Sequence, residues 1–205
     1  MRCVRTGLPM FLNAHELERE CGGGRIRIEP FARDLLKPAS YILRLGPDIA
    51  RCTSRGVPID PWTEDAAADR LRNETVTEAF VLHPNEFVLG ATLEAISVPN
   101  TFMGLLSNLS HWARFGVSVH QGAAWVSPHF GTHAPTRLTL ELHSVNPEPI
   151  ILRPGMPICQ IAFAPVRADP ASGLPLNYSV YDGAAAPGRP RLYEEFGPML
   201  PPNGQ

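Results

Sequence analysis

Polar and apolar positions alternate with a period of two through two stretches in the middle of the chain. In the first, Val117 and Val119 fall on one face and Ser118 and His120 on the other. In the second, Leu138, Leu140 and Leu142 share a face opposite Thr139, Glu141 and His143. Such alternation predicts half-buried strands, because successive side chains of an extended backbone point to opposite sides. A polar segment holding Ser107, Asn108, Ser110, His111 and Arg114 comes before them. A Gly-Ala turn at 122–124, a second apolar run, a Ser-Pro break at Ser127–Pro128 and a long polar loop lie between them. Hydroxyls, a fixed cation and a lone carboxylate therefore sit on strands and tight turns.

Upstream the pattern differs. Residues 12–24 predict a helix, with Asn13 as N-cap, Glu16 closing a capping box, and Leu12 and Leu17 at the hydrophobic-staple positions. Gly22–Gly24 ends it. Residues 25–28, Arg-Ile-Arg-Ile, alternate like an edge strand, and Tyr41, Leu43 and Leu45 form one strand face with Arg44 opposite. Residues 46–75 show no period and contain two proline breaks, so they read as an excursion with little regular structure. From Val76 the chain predicts strands at 76–82, 86–94, 95–98, 102–106, 117–126, 138–145, 149–152 and 158–164. Pro84-Asn85, Pro99-Asn100 and Pro154-Gly155 punctuate them, a spacing that fits a sandwich or barrel. Beyond Ala164 the sequence is rich in Gly, Pro and Ala and cannot build its own core.

Composition sharpens this picture. A chain of 205 residues with 44% apolar content is one domain, or one domain with a tail. Its 22 prolines favour short strands and ordered loops over long helices. The net charge of −2 supplies no field for nucleic acid or a membrane surface, so neither is an expected partner. Basic charge is nearly all arginine, with Lys37 the single lysine. Cys3, Cys21, Cys52 and Cys159 contain no C-x-x-C pair, which argues for free thiols rather than a zinc ribbon. With no secretory or membrane-spanning segment read in the sequence, the expected location is cytoplasmic.

The candidate chemistry has competing readings. Glu141 is either a solvated strand residue or a half-buried proton carrier, the role a carboxylate fills best when its pKa is tuned toward neutrality. Arg114 is a surface cation or an orienting one, and Ser110 caps a helical turn or holds a water. Trp125 reads first as hairpin packing and second as a platform for a base. His129 and His133 have H-x-x-x-H spacing, but Gly131 and Pro135 place them in a loop. The H-x-E and P-C-x-x-C signature of zinc deaminases is absent, so no protein-held metal is expected.

Four stretches, taken in order, resemble the dCTP deaminase and dUTPase superfamily. They are GRIRIEPF followed by PASYILRLG, then FVLHPNEFVLGATLEAISVP, then SHWARFGV, and last LTLELHSVNPEPIILRPGMPICQIAF. The resemblance implies a mainly β subunit, a distorted β-barrel or β-clip of the dUTPase-like type with a short N-terminal helix. Residues 1–164 would form that domain, and 165–205 a C-terminal tail packing over a neighbouring active site. It implies a homotrimer with sites between subunits, a pyrimidine nucleotide ligand, and Mg²⁺ carried by the ligand's phosphates. The implied activity is zinc-independent deamination of a cytosine deoxynucleotide, dCTP to dUTP and ammonia. A same-fold enzyme with another nucleotide substrate, or a non-catalytic nucleotide-binding regulator, are the alternatives. Ser110 and Arg114 match the family's serine and arginine, Ala123 an alanine near the base, and Glu141 the general base. Expected substrate contacts are Ala123, Trp125, Ser127 and Gln121, with Tyr178 and Arg191 in the tail. The chain also departs from the family: Leu109 and Trp125 stand where phosphate-side arginines are usual. Ser127 replaces an aspartate, and an insertion around Thr132–Pro135 lengthens the loop.

Overall fold

Strand β3, Ser40–Cys52, is the spine of a curled, half-barrel sheet in this computed structural model, which describes residues 10–62, 70–167, 181 and 183–196. Ahead of it come helix α1 (Ala14–Gly22) and short strands β1 (Arg27–Glu29) and β2 (Leu36–Lys37). After it come β4 (Leu71–Thr75), β5 (Phe80–Leu82), β6 (Phe87–Ser97) and β7 (Phe102–Asn108). Helix α2 (Ser110–Arg114) precedes β8 (Val117–Ser118), β9 (Trp125–Val126), β10 (Thr136–Ser144), β11 (Ile150–Leu152) and β12 (Pro157–Pro165). A last turn of helix, α3, spans Leu192–Phe196.

The main sheet runs β8-β10-β6-β3-β12-β7-β9, with β1 added to β6 and both β2 and β4 added to β3. Strands β5 and β11 form a separate pair. Burial follows the alternation read from the sequence. Leu138, Leu140 and Leu142 are buried on one face of β10, and Thr139, Glu141 and His143 are half-buried on the other. Tyr41, Leu43 and Leu45 are fully buried in the same core with Ile96, Ile158 and Phe163.

Helix α1 starts as expected. Asn13 Oδ1 accepts from the Glu16 amide at 3.0 Å, and Glu16 Oε2 accepts from the Asn13 amide at 3.0 Å. The helix is shorter than 12–24, beginning at Ala14 and ending at Gly22. It packs Leu17 inward, and the Leu12 amide donates to the Phe163 carbonyl, tying the helix to β12.

Three sequence expectations need correction. Residues 46–75 are not wholly an excursion, because β3 continues to Cys52 and β4 pairs with it from Asp48↔Thr75 to Cys52↔Leu71. The β3–β6 register shifts between Leu45 and Ile49, and this irregularity takes up Gly46-Pro47. A Cβ on Gly46 would lie 2.9 Å from the Ala91 carbonyl oxygen, so the close strand approach needs glycine there. Residues 87–97 form one strand rather than two. Its polar interior position, Glu94, is fully buried and held by the Arg44 side chain, Nε to Oε1 at 2.6 Å, and by the Arg44 amide at 2.8 Å. The run 117–126 is not one strand: β8 joins β10 at one end of the sheet and β9 joins β7 at the other. No described helix is long and apolar enough to cross a membrane.

Candidate active site

Strands from both halves of the sheet order, β9 and β7 from one and β10 and β6 from the other, line one cleft. Strand β9 stands on one side and the polar face of β10 on the other, with β6 and β7 as the floor. Between them lies a cleft of about 540 Å³. Phe87, Leu89, Leu106, Val126, Phe130 and Leu138 make its apolar walls, and Thr139 and Glu141 face into it from β10. An apolar pocket with few convergent polar groups is the usual form of a small-molecule site.

Glu141 has the most defined setting. Its amide donates to the Val119 carbonyl at 2.9 Å, and its flanking residues pair with β6 through Leu140↔Gly90 and Leu142↔Val88. The strand therefore fixes the backbone that carries the carboxylate. Burial among apolar walls pushes its pKa above the ordinary carboxylate value. Asn108 braces the facing segment: its Nδ2 donates to the Val117 carbonyl at 2.8 Å and its Oδ1 accepts from the Val119 amide at 3.1 Å.

Ala123, Trp125 and Ser127 line the same cleft as Glu141. Trp125 is 67% exposed, so the reading of it as hairpin packing is corrected: the indole stands on the rim of the cleft, and β9 is too short to bury it. Gln121 is exposed outside the lining and reaches the Glu141 carbonyl only at 3.5 Å. Arg191 stands behind the wall, its guanidinium 5.7 Å from the Tyr181 ring centre, while Tyr181 itself lines the cleft. Tyr178 lies outside the described residues.

Ser110 and Arg114 are not brought to Glu141 within the described chain. Both are exposed on α2 and neither lines the cleft. Leu109, not Ser110, occupies the N-cap, and no side chain caps the helix, which corrects the capping role read for Ser110. Trp112 anchors α2 through Nε1 to the Pro157 carbonyl at 2.8 Å. Phe115, 57% exposed, and Val145, 65% exposed, leave an apolar surface beside it. His129 and His133 lie in the loop between β9 and β10, with His129 at φ 70°. Among the described residues no three His, Cys, Asp or Glu side chains gather into a metal-holding group.

Sequence reasoning missed Arg70, Arg137, Tyr181 and Glu195, which all line the cleft. Arg137 was within reach, since it continues the Thr139–Glu141 alternation by one more step. The other three come from segments without a period. The tail reaches the cleft by hydrogen bonds to the start of β10. The Gly183 amide donates to Thr136 Oγ1 at 2.6 Å, the Arg137 amide to the Ala184 carbonyl at 3.0 Å, and the Gly188 amide to Thr139 Oγ1 at 3.3 Å.

A family model described as dCTP deaminase-like matches residues 11–166. A protein of Acidothermus cellulolyticus named dCTP deaminase, dUMP-forming, is 34% identical over 190 residues, covering 91% of this chain and 97% of that one. Its namesake from Mycobacterium avium is 36% identical over 195 residues, covering 91% and 98%. Among solved structures, the 2'-deoxycytidine 5'-triphosphate deaminase of Agrobacterium tumefaciens matches with a TM-score of 0.60 at 21% identity. That match covers 76% of this chain and 48% of the other, and it shows a shared fold.

Proposed function

The chain belongs to the dCTP deaminase-like family, and we propose that it hydrolyses the exocyclic amine of a cytosine deoxynucleotide with Glu141 as the proton carrier. The observation that carries this reading is the half-buried Glu141 carboxylate, fixed on β10, raised in pKa and facing an apolar cleft. Water adds to C4 of the ring while Glu141 takes its proton. The carboxyl returns that proton to ring nitrogen, then mediates transfer of a proton to the departing amine. Cytosine and water give uracil and ammonia. A carboxyl with a raised pKa suits both directions of transfer better than a fully solvated one.

Ser110 and Arg114 complete the site, in this reading, when a neighbouring copy presents its α2 to the cleft of this one. The exposed apolar surface of Phe115 and Val145 beside α2 supports burial against a second copy, and a closed homotrimer would make three equivalent sites. Mg²⁺ would enter on the ligand's phosphates and neutralise their charge.

Two products are to be distinguished. The relatives named above are called dUMP-forming, which favours a second step that removes pyrophosphate. Against it, Ser127 lines the cleft with a neutral hydroxyl, a poor proton acceptor for a water attacking phosphorus. We therefore assign dUTP and ammonia as the products. The test is incubation with dCTP and Mg²⁺, with ammonia, dUTP, dUMP and pyrophosphate measured together. Equal ammonia and dUTP is the expected result. Ammonia with dUMP and pyrophosphate would move the assignment to the dUMP-forming reaction, and dCTP binding without ammonia would make the protein a nucleotide-binding regulator.

A further inference from the structure

The cleft holds two cations that the deamination step does not use. We propose that Arg137 and Arg70 are its phosphate-binding end and supply the grip that Leu109 and Trp125 do not. The proposal rests on the nucleotide reading above and adds to it the residues that select for phosphate.

Geometry sets the two ends apart. Arg137, Thr139 and Glu141 lie on one face of β10, and all three line the cleft. Four residues of extended chain separate the guanidinium-bearing position from the carboxylate by about 14 Å at most, and the register irregularity beside Arg137 and Thr139 places its extra residues on β6. A nucleotide whose base meets Glu141 thus has a cation further along the same wall, where an extended phosphate chain can reach it.

Arg70 keeps its charge available, and the ion pair of Arg137 with Asp48 offsets its charge only in part. Arg70 donates from Nη1 to the Val57 carbonyl at 3.2 Å and from Nη2 to the Pro58 carbonyl at 3.4 Å. These neutral oxygens orient the guanidinium without cancelling its charge, and among the described residues it meets no carboxylate. Arg137 uses only Nη1 in its described contacts, at 3.4 Å to Asp48 Oδ2 and 3.2 Å to the Ala185 carbonyl. Asp48 also accepts from the Thr75 hydroxyl at 2.9 Å. This is a long, single-point contact rather than the two-pronged pairing that an arginine and a carboxylate make at full strength. The remaining donors of Arg137 suit phosphate oxygens. Glu141 stands at the other end of the strand stripe, and Glu195 lies on α3 with its residue exposed.

The test compares dCTP with 2'-deoxycytidine, binding measured by calorimetry with Mg²⁺ in a Glu141→Gln background that suppresses turnover. Arg137→Gln and Arg70→Gln should each weaken dCTP by about tenfold, the scale of one lost charge-assisted hydrogen bond. Binding of deoxycytidine should be unchanged. Arg137→Lys, which keeps the charge, should recover part of the loss and separates a phosphate contact from a folding defect. Unchanged dCTP affinity in both glutamine variants would overturn the proposal, and so would equal weakening of dCTP and deoxycytidine. Failure of wild-type protein to release ammonia from dCTP would sink the deaminase reading alone, because phosphate selectivity is read here by binding.

Discussion

Strand β10 and helix α2 both carry residues of the proposed chemistry, and the fold treats them in opposite ways. Glu141 sits on a strand paired on both sides, half-buried, in a cleft that its own chain encloses. Ser110 and Arg114 sit on a five-residue helix that faces solvent beside exposed Phe115 and Val145. One element is finished within the chain and the other is not. The difference teaches that one chain builds the pocket and half-buries the carboxylate proposed as its proton carrier, yet leaves the two matched polar groups in solvent.

Removing the carboxylate should break the finished half most strongly. Glu141→Gln should lower deamination by at least ~10²-fold, the scale of general acid–base catalysis, with dCTP binding largely kept. Near-normal steady-state turnover would mean that the proton carrier lies elsewhere. The frame beneath the carboxylate can be tested through Arg44, which holds the fully buried Glu94 between β3 and β6. Arg44→Leu leaves that charge buried and unpaired, and should cost about 3 kcal/mol in denaturant unfolding. An unchanged midpoint would show that Glu94 finds another partner. Farther from the cleft, Asn13→Ala removes the cap of α1 and should cost about 1 kcal/mol without altering turnover.

The smallest effect concerns pH. Burial raises the Glu141 pKa above its ordinary 4.5, so the folded chain holds that proton more tightly than the unfolded chain does. The associated stability is present below the unfolded pKa and is lost as pH rises through the folded value. Glu141→Gln escapes that loss. It should melt slightly above wild type at neutral pH, and the gap should close as pH falls below the ordinary carboxylate range. A gap that widens in acid would show the opposite shift.

Much of this was legible in the alternation. The buried Leu138–Leu142 face, the Glu141 face and the Asn13–Glu16 cap are local patterns, and local patterns survive into the fold. The continuation of β3 past Gly46-Pro47 was not legible, because its register shifts where the glycine meets the backbone of β6. Splitting β8 from β9 was hidden for a similar reason: the partners of each strand lie far away in sequence. Trp125 looked like packing because its neighbours are apolar, but β9 ends after two residues and leaves the ring on the rim. Arg70 and the tail residues entered the site through tertiary contacts that no periodicity encodes. The resemblance to the deaminase family supplied the names of Ser110 and Arg114, while their separation from Glu141 appeared only in three dimensions.

That separation gives the most direct test. Glu141→Gln and Arg114→Ala chains, each with a different affinity tag, are co-expressed and mixed assemblies are purified through both tags in turn. If Glu141 of one copy works with Arg114 of the next in a closed trimer, one of the three sites in every mixed assembly is intact. The account predicts about one third of wild-type activity from two chains that are each nearly inactive alone. Mixed assemblies no more active than the single variants would contradict it, as would an Arg114→Ala chain that is fully active by itself.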